Sequence, residues 1–270
     1  MKKQVTKNNY KYIYGPVPSW RLGRSLGVDP LSAKDKICTF DCSYCQLGKT
    51  KVYSSARKIF VPTDDIIEEI KALPKIEIDY ITISGRGEPT LALNLGELIS
   101  AIKKIRKEKV AVITNSSLLS RQDVVAELCQ ADLIVAKLDA PNSGVFNIIN
   151  NPLQTITFSE ILSALQRFAR VYKGKLALQC MFLEENKRYV NIISRLANNM
   201  RPDEIELNTP LRPCAVKPLA RAELNKIKEY FLQSCNKAIN IVSVYDAKKV
   251  KTTPISDKDT LKRRGKYKNI

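Results

Sequence analysis

The chain has 270 residues, 44% of them apolar, and carries 45 Lys+Arg against 27 Asp+Glu for a net charge of +18. That length supports one large domain or two modest ones with a sizeable buried core. Histidine is absent, which excludes Ser-His-Asp and Cys-His catalysis, and no run of about 18 apolar residues reads as a transmembrane helix.

The opening, "MKKQVTKNNYKYIYGP", is basic but leads into no apolar stretch of a secretory signal. Residues 1–30, punctuated by Gly15, Pro16, Pro18, Gly23, Gly27 and Pro30, read as an extended lead-in. Next comes "ICTFDCSYCQLG", residues 37–48, in which Cys38, Cys42 and Cys45 follow the spacing C-x3-C-x2-C. Seven cysteines, an odd number, without a leader point to a reducing, cytoplasmic compartment and to thiols or metal ligands rather than disulfides.

From there two periods alternate. Helical patterns occur at "TDDIIEEIKAL", "LGELISAIKKI", "SRQDVVAELC", "TFSEILSALQRFARVY", "RYVNIISRLANNM" and "ARAELNKIKEYFLQ". Thr157 and Glu160 form a capping-box pair, with Thr63 and Ser120 as further N-caps. Between the helices lie "DYITISG", "VAVITN", "DLIVAKLD", "LALQCMF", "EIELNTP" and "INIVSVY", Ile- and Val-rich runs of the kind buried on both faces. Strand–helix repetition predicts an α/β fold with a parallel sheet, doubly wound or a (β/α) barrel. "GRGEPT" lacks the third small residue of a dinucleotide fingerprint, Thr90 standing in its place, and no Walker-type loop is present. A partial (β/α)6-type TIM barrel over residues 31–246 is the expectation. Residues 247–270, ending in "LKRRGKYKNI", read as a basic tail. The charge suits a polyanionic partner such as nucleic acid, and equally a solvated surface.

Three thiols in eight positions call for a metal. A structural zinc takes four N or S ligands. With no histidine, the fourth would be Cys129, Cys180, Cys214 or Cys235, none of which forms a second close pair. Cys129 and Cys180 fall in a helical and a strand pattern and read as small buried hydrophobes. Three close thiolates suit an iron–sulfur cube with one iron left open to a substrate. Asn115, Lys137, Asp139 and, more weakly, Gln179 stand at strand ends, where barrel enzymes gather active-site residues. A polar strand-end cap is the competing reading for these four.

The segment "CTFDCSYC", together with the strand–helix body and "GEP", resembles the radical S-adenosylmethionine (SAM) superfamily. The resemblance implies that Cys38, Cys42 and Cys45 hold a [4Fe-4S] cluster whose fourth iron binds SAM. An electron from a flavodoxin- or ferredoxin-like donor then cleaves SAM to a 5′-deoxyadenosyl radical, which abstracts hydrogen from substrate. It further implies that Tyr44 lies against the adenine and that Gly87, Glu88 and Pro89 meet the methionine amine. Asp139 would bind the ribose, and Asn115 the carboxylate or sulfonium region. No protein side chain is assigned as catalytic. "YGPVPSWRLGRSLGVDP", "SGRGEPTL", "LDAPNSGVFNIINNP", "LNTPLRPC" and "LKRRG" are similar to a group of iron–sulfur oxidoreductases related to the wyosine-forming tRNA enzymes. Trp20 and Asn151 replace arginines common in that group, and no cysteine precedes Cys38 to hold a second cluster. An RNA or nucleotide substrate is the first expectation, with Arg21, Arg24 and Arg212 tracking phosphates. The alternatives are a protein or peptide substrate, or a non-catalytic RNA-binding protein with a structural metal. Cys214, near "NTPLRP", is either a quencher of a substrate radical or a space-filling residue.

Overall fold

A computed structural model of the chain describes residues 10–246, 250–256 and 260. Its strands are β1 (Ile13–Ser19), β2 (Gly23–Val28), β3 (Ile37–Cys38), β4 (Val52–Tyr53), β5 (Tyr80–Ile83), β6 (Lys109–Thr114), β7 (Leu133–Lys137), β8 (Lys175–Met181), β9 (Glu204–Asn208) and β10 (Asn240–Ser243). The helices are α1 (Thr63–Lys71), α2 (Leu95–Ile105), α3 (Gln122–Leu128), α4 (Ser143–Asn150), α5 (Phe158–Val171), α6 (Val190–Met200) and α7 (Arg221–Ser234).

Eight strands form one sheet in the order β1-β2-β5-β6-β7-β8-β9-β10, and β3 and β4 pair separately. Only the β1–β2 pair is antiparallel in that sheet. The sheet curls into a partial barrel in which β2, β5, β6, β7, β8 and β9 are each followed by a helix that packs on the outside. Period-2 alternation sorts the side chains. Ile81, Ile83, Val110, Val112, Ile134, Leu178, Ile205 and Leu207 join the helices in the large outer core. Leu22, Ala111, Leu133, Val135 and Ala177 form a small apolar cluster of their own. Leu22, in the β1–β2 turn, thus seals the barrel's lower end, and its burial is worth about 2 kcal/mol.

The six anticipated strands and six anticipated helices all form. Of the lead-in, residues 1–30, the first nine lie outside the described residues, and the rest carries β1 and β2 within the main sheet. Its glycines and prolines masked this. An edge strand tolerates Pro16 and Pro18 because it needs no donor on its outer side. Gly27 is required by the Tyr14 ring, which would lie 2.2 Å from a Cβ placed there. The helix α4 went unread because it has only 8 residues and opens on the turn-like run Asn142, Ser143 and Gly144. Two caps differ from expectation. Thr63 is the first helical residue of α1 behind Pro62, and Arg121, not Ser120, is the N-cap of α3. The Thr157–Glu160 capping box forms as read. Cys180 is buried, whereas Cys129 is exposed because it caps the C-terminus of α3 beyond its inward face. All seven cysteines are free thiols. Most of the basic tail, including "LKRRG", lies outside the described residues; Ile255 packs on the core and donates its amide to Gly15 O at 2.5 Å. Among the described residues, no helix is long and apolar enough to cross a membrane.

Candidate active site

The cysteine loop leaves β3 and returns at β4, over the C-terminal ends of the barrel strands. Two reverse turns wind it: Cys45 N donates to Cys42 O, and Gly48 N to Cys45 O, each at 3.0 Å. Asp41 Oδ1 accepts from Thr50 N at 2.6 Å, and Thr50 Oγ1 donates to Phe40 O at 2.7 Å. The loop's amides also cap α4. Ser43 N donates to Ile149 O at 2.9 Å, and Asp41 N donates to Asn150 O at 3.1 Å, satisfying carbonyls a helix end leaves unpaired.

On its other side the loop is fastened to "GEP". Ile37 N donates to Arg86 O at 3.1 Å and Glu88 N to Ile37 O at 3.2 Å. A Cβ on Gly87 would fall 1.6 Å from Ile37 O, so glycine alone permits this approach. Glu88 is 2% exposed. Its Oε1 accepts from Thr90 N, Thr90 Oγ1 and Thr114 Oγ1 at 3.2, 2.7 and 2.6 Å. Its Oε2 accepts from Asn115 N at 2.7 Å. The carboxylate is therefore spent on binding β5 to β6. Burial pushes its pKa up, against those four hydrogen bonds. Pro89 opens the short 3-10 turn that follows.

Asn115 faces the loop. Its Nδ2 donates to Thr39 Oγ1 at 2.7 Å and lies 3.6 Å from Cys38 Sγ, and its Oδ1 accepts from Ser117 N at 2.9 Å. Asp139, 4% exposed, is a second hub. It accepts from Met181 N at 2.9 Å, Asn150 Nδ2 at 3.0 Å and the Tyr44 hydroxyl, and pairs with Lys137 Nζ at 3.1 Å. Lys137 also sits over the Tyr44 ring, 4.9 Å from its centroid, and donates to Gln179 Oε1 at 3.0 Å. Burial and the neighbouring Asp139 raise the Tyr44 hydroxyl well above its ordinary pKa. Tyr44, Lys137, Asp139 and Gln179 thus form one connected network, while Gly87, Glu88, Pro89 and Asn115 form another, and both meet at the cysteine loop.

Burial pushes Cys38 up to about 12, helped by Glu88. It pushes Cys42 up to about 11, helped by Asp139. Among the described residues, no three or more His, Cys, Asp or Glu side chains form a group that could hold a metal ion. With no histidine in the chain and no second close cysteine pair, three thiols on one loop suit a cube that leaves one iron open better than a four-ligand zinc.

Four residues were not singled out by the sequence. Lys36 is buried under the loop and donates to Gly48 O at 3.0 Å. Asn150, from α4, sets its Nδ2 3.6 Å from Cys42 Sγ. Glu206, 1% exposed, accepts from Gln179 Nε2 at 3.0 Å. Thr39 joins Asn115 to Ser117. Their only sequence signal was nearness to a motif or a place on a strand. The three arginines offered for phosphates are otherwise engaged. Arg24 pairs with Asp79 and Glu77, and Arg212 donates to Gln46 Oε1 at 2.5 Å. Arg21 turns inward to Glu206 at 3.5 Å. Cys214 lies in the β9–α7 loop, donating to Val216 O at 3.2 Å, and Val216 packs with Cys42 and Tyr44 in the apolar cluster around Phe40 and Phe146.

The family model described as the radical SAM superfamily matches residues 36–197, more than half of the chain. A UPF0026 protein of Synechocystis sp., slr1464, is 43% identical over 214 residues, covering 77% of this chain and 78% of that protein. A protein named GTPase Obg from Brachyspira hyodysenteriae is 37% identical over 267 residues, 96% of this chain but 39% of that protein, so most of it lies outside the match. The crystal structure of Streptococcus suis SuiB bound to S-adenosylmethionine superposes with a TM-score of 0.61, covering 77% of this chain and 48% of that one; at 16% identity it shares the fold alone. The chain belongs to the radical SAM superfamily, and is an enzyme of the kind that works with a [4Fe-4S] cluster and SAM.

Proposed function

We propose that Cys38, Cys42 and Cys45 hold the [4Fe-4S] cluster and that SAM lies across the strand ends beside it, between the Gly87–Pro89 turn with Asn115 and the Tyr44–Lys137–Asp139–Gln179 network. The observation that carries this reading is the cysteine loop itself, pinned at Gly87 on one side and at α4 on the other, with Cys38 set against Asn115 and Cys42 against Asn150. When bound, cluster and SAM supply a one-electron route to hydrogen-atom abstraction from substrate.

The chain's own residues then have defined tasks. Asp139 and Lys137 orient Tyr44 through a hydroxyl contact and a cation–π contact. Since the Glu88 carboxylate is filled by four donors, the backbone of the Gly87–Pro89 turn, not that side chain, is left to accept from an ammonium. Asn115, engaged with Thr39 and Ser117, serves the loop before it serves SAM. Phe40, Phe146, Ile149, Met181 and Leu183 pack the loop's underside and keep water from the thiols.

The substrate in this reading is an RNA or a nucleotide. Its support is the +18 charge and the polar string Lys137–Gln179–Glu206 inside the barrel, which offers donors and acceptors to a base edge. The exposed Lys49 and Lys51, just past Cys45, suit an acidic electron donor of the flavodoxin or ferredoxin type. The test is anaerobic reconstitution with iron and sulfide, reduction, and addition of SAM, with and without RNA. Wild type is expected to form 5′-deoxyadenosine and Cys42→Ala none. A fully loaded wild type that forms none under any of these conditions overturns the reading.

A further inference from the structure

Two of the three thiols have a side-chain nitrogen donor facing them, each from a different element, and a buried lysine lies under the same loop. Asn115, after β6, stands 3.6 Å from Cys38 Sγ, and Asn150, at the end of α4, stands 3.6 Å from Cys42 Sγ. Both distances suit an N–H···S contact, sulfur being larger than oxygen. Lys36, ahead of β3, is buried beneath the loop that carries all three thiols and donates to Gly48 O at 3.0 Å. We propose that Asn115 and Asn150, as donors to Cys38 and Cys42, and Lys36, as a buried cation under the loop, together raise the reduction potential of the cluster held there. The proposal rests on the reading that these three cysteines carry a [4Fe-4S] cluster.

The physical reasoning is electrostatic. Reduction adds a negative charge to a cluster already surrounded by three thiolates. Hydrogen bonds to the sulfurs and a nearby cation favour that state, as do low exposure and weak screening. Lys36 has a side chain only 6% exposed, so its charge acts with little water between. The nearby carboxylates are already committed. Asp41 Oδ1, 3.5 Å from Lys36 Nζ, accepts from Thr50 N. Glu88 is held by its four donors, and Asp139 is paired with Lys137. Two neutral donors therefore face sulfur, and one buried cation lies under the loop. Lys36 has a mechanical part too, since its bond to Gly48 O closes the loop. The test must separate the two parts.

The measurement is the midpoint potential of the reconstituted cluster, followed by EPR during an anaerobic redox titration, with iron counted in each sample. Lys36→Met is expected to be at least tenfold harder to reduce, a fall of about 59 mV or more for a one-electron couple. Asn150→Leu should fall in the same direction by less, and Lys36→Arg should stay close to wild type. Unchanged potentials in iron-replete Lys36→Met and Asn150→Leu would overturn the proposal and leave these residues as loop struts. If Lys36→Met does not retain iron, Asn150→Leu decides: a lowered potential supports the proposal and an unchanged one refutes it. A wild type that takes up no four-iron cluster at all would instead refute the cysteine assignment, which is a separate failure.

Discussion

Two glutamates, Glu88 after β5 and Glu206 on β9, are both buried in the same half-barrel, yet their surroundings differ. Glu88 receives four hydrogen bonds from Thr90, Thr114 and Asn115. Glu206 has one hydrogen bond from Gln179 and an ion pair with Arg21 at 3.5 Å, the Arg21 Nε itself finding no hydrogen-bond acceptor. Burial raises the pKa of both. A carboxylate filled by backbone and hydroxyl donors is a fastening between strands. One held loosely by long side chains inside a barrel is free to exchange partners with a ligand. The contrast divides the site into a rigid half that carries the cysteine loop and an adaptable half lined by long polar side chains.

The largest effect should come from Glu88→Gln. The amide nitrogen that replaces one oxygen confronts a donor, so unfolding free energy should fall by about 2–4 kcal/mol, read from urea denaturation, and cluster retention should fall with it. A loss below about 1 kcal/mol would break the contrast. Glu206→Gln should cost less than about 1 kcal/mol at neutral pH, because Gln179 can turn its amide to match. It should also alter the pH dependence. A carboxyl held above its ordinary pKa of about 4.3 contributes its full stability below that value, and loses it as pH rises through the folded-state pKa. The glutamine variant should therefore lose less stability than wild type between about pH 4 and about pH 7, compared in the same urea series. An identical pH slope in the two proteins would show that Glu206 is not the strained member of the pair. The smallest effect is expected at Arg212→Ala, which removes an exposed contact with Gln46. Stability should shift by no more than about 0.5 kcal/mol, and SAM cleavage without substrate should be unchanged; a larger loss of cleavage would place the β9–α7 loop in the rigid half.

The rigid half was largely legible in the sequence. Cys38, Cys42 and Cys45 announce themselves by spacing, and Gly87 by its position after a strand. Helices such as α2 and α5 carry a continuous apolar stripe that leaves little choice of boundary. The adaptable half was legible only in part. Lys137 and Gln179 could be placed at strand ends, but that Gln179 would bridge to Glu206, and Glu206 to an arginine from the β1–β2 turn, depends on closing the sheet into a barrel. The same holds for Asn150 and Lys36. Asn150 reaches Cys42 by tertiary packing from a helix of only 8 residues, too short to show a period, and Lys36 reaches the loop by folding beneath it. Glu88 shows the opposite lesson, since its place in the motif was readable while the use of its carboxylate as a fastening was not.

The central claim is that Cys38, Cys42 and Cys45 present a four-iron cluster to SAM. It is tested most directly by EPR of the reduced, reconstituted protein before and after SAM is added. The account predicts a [4Fe-4S] signal that changes on SAM addition in wild type and is missing in Cys42→Ala. Bound zinc without iron, or a cluster signal indifferent to SAM, would contradict it.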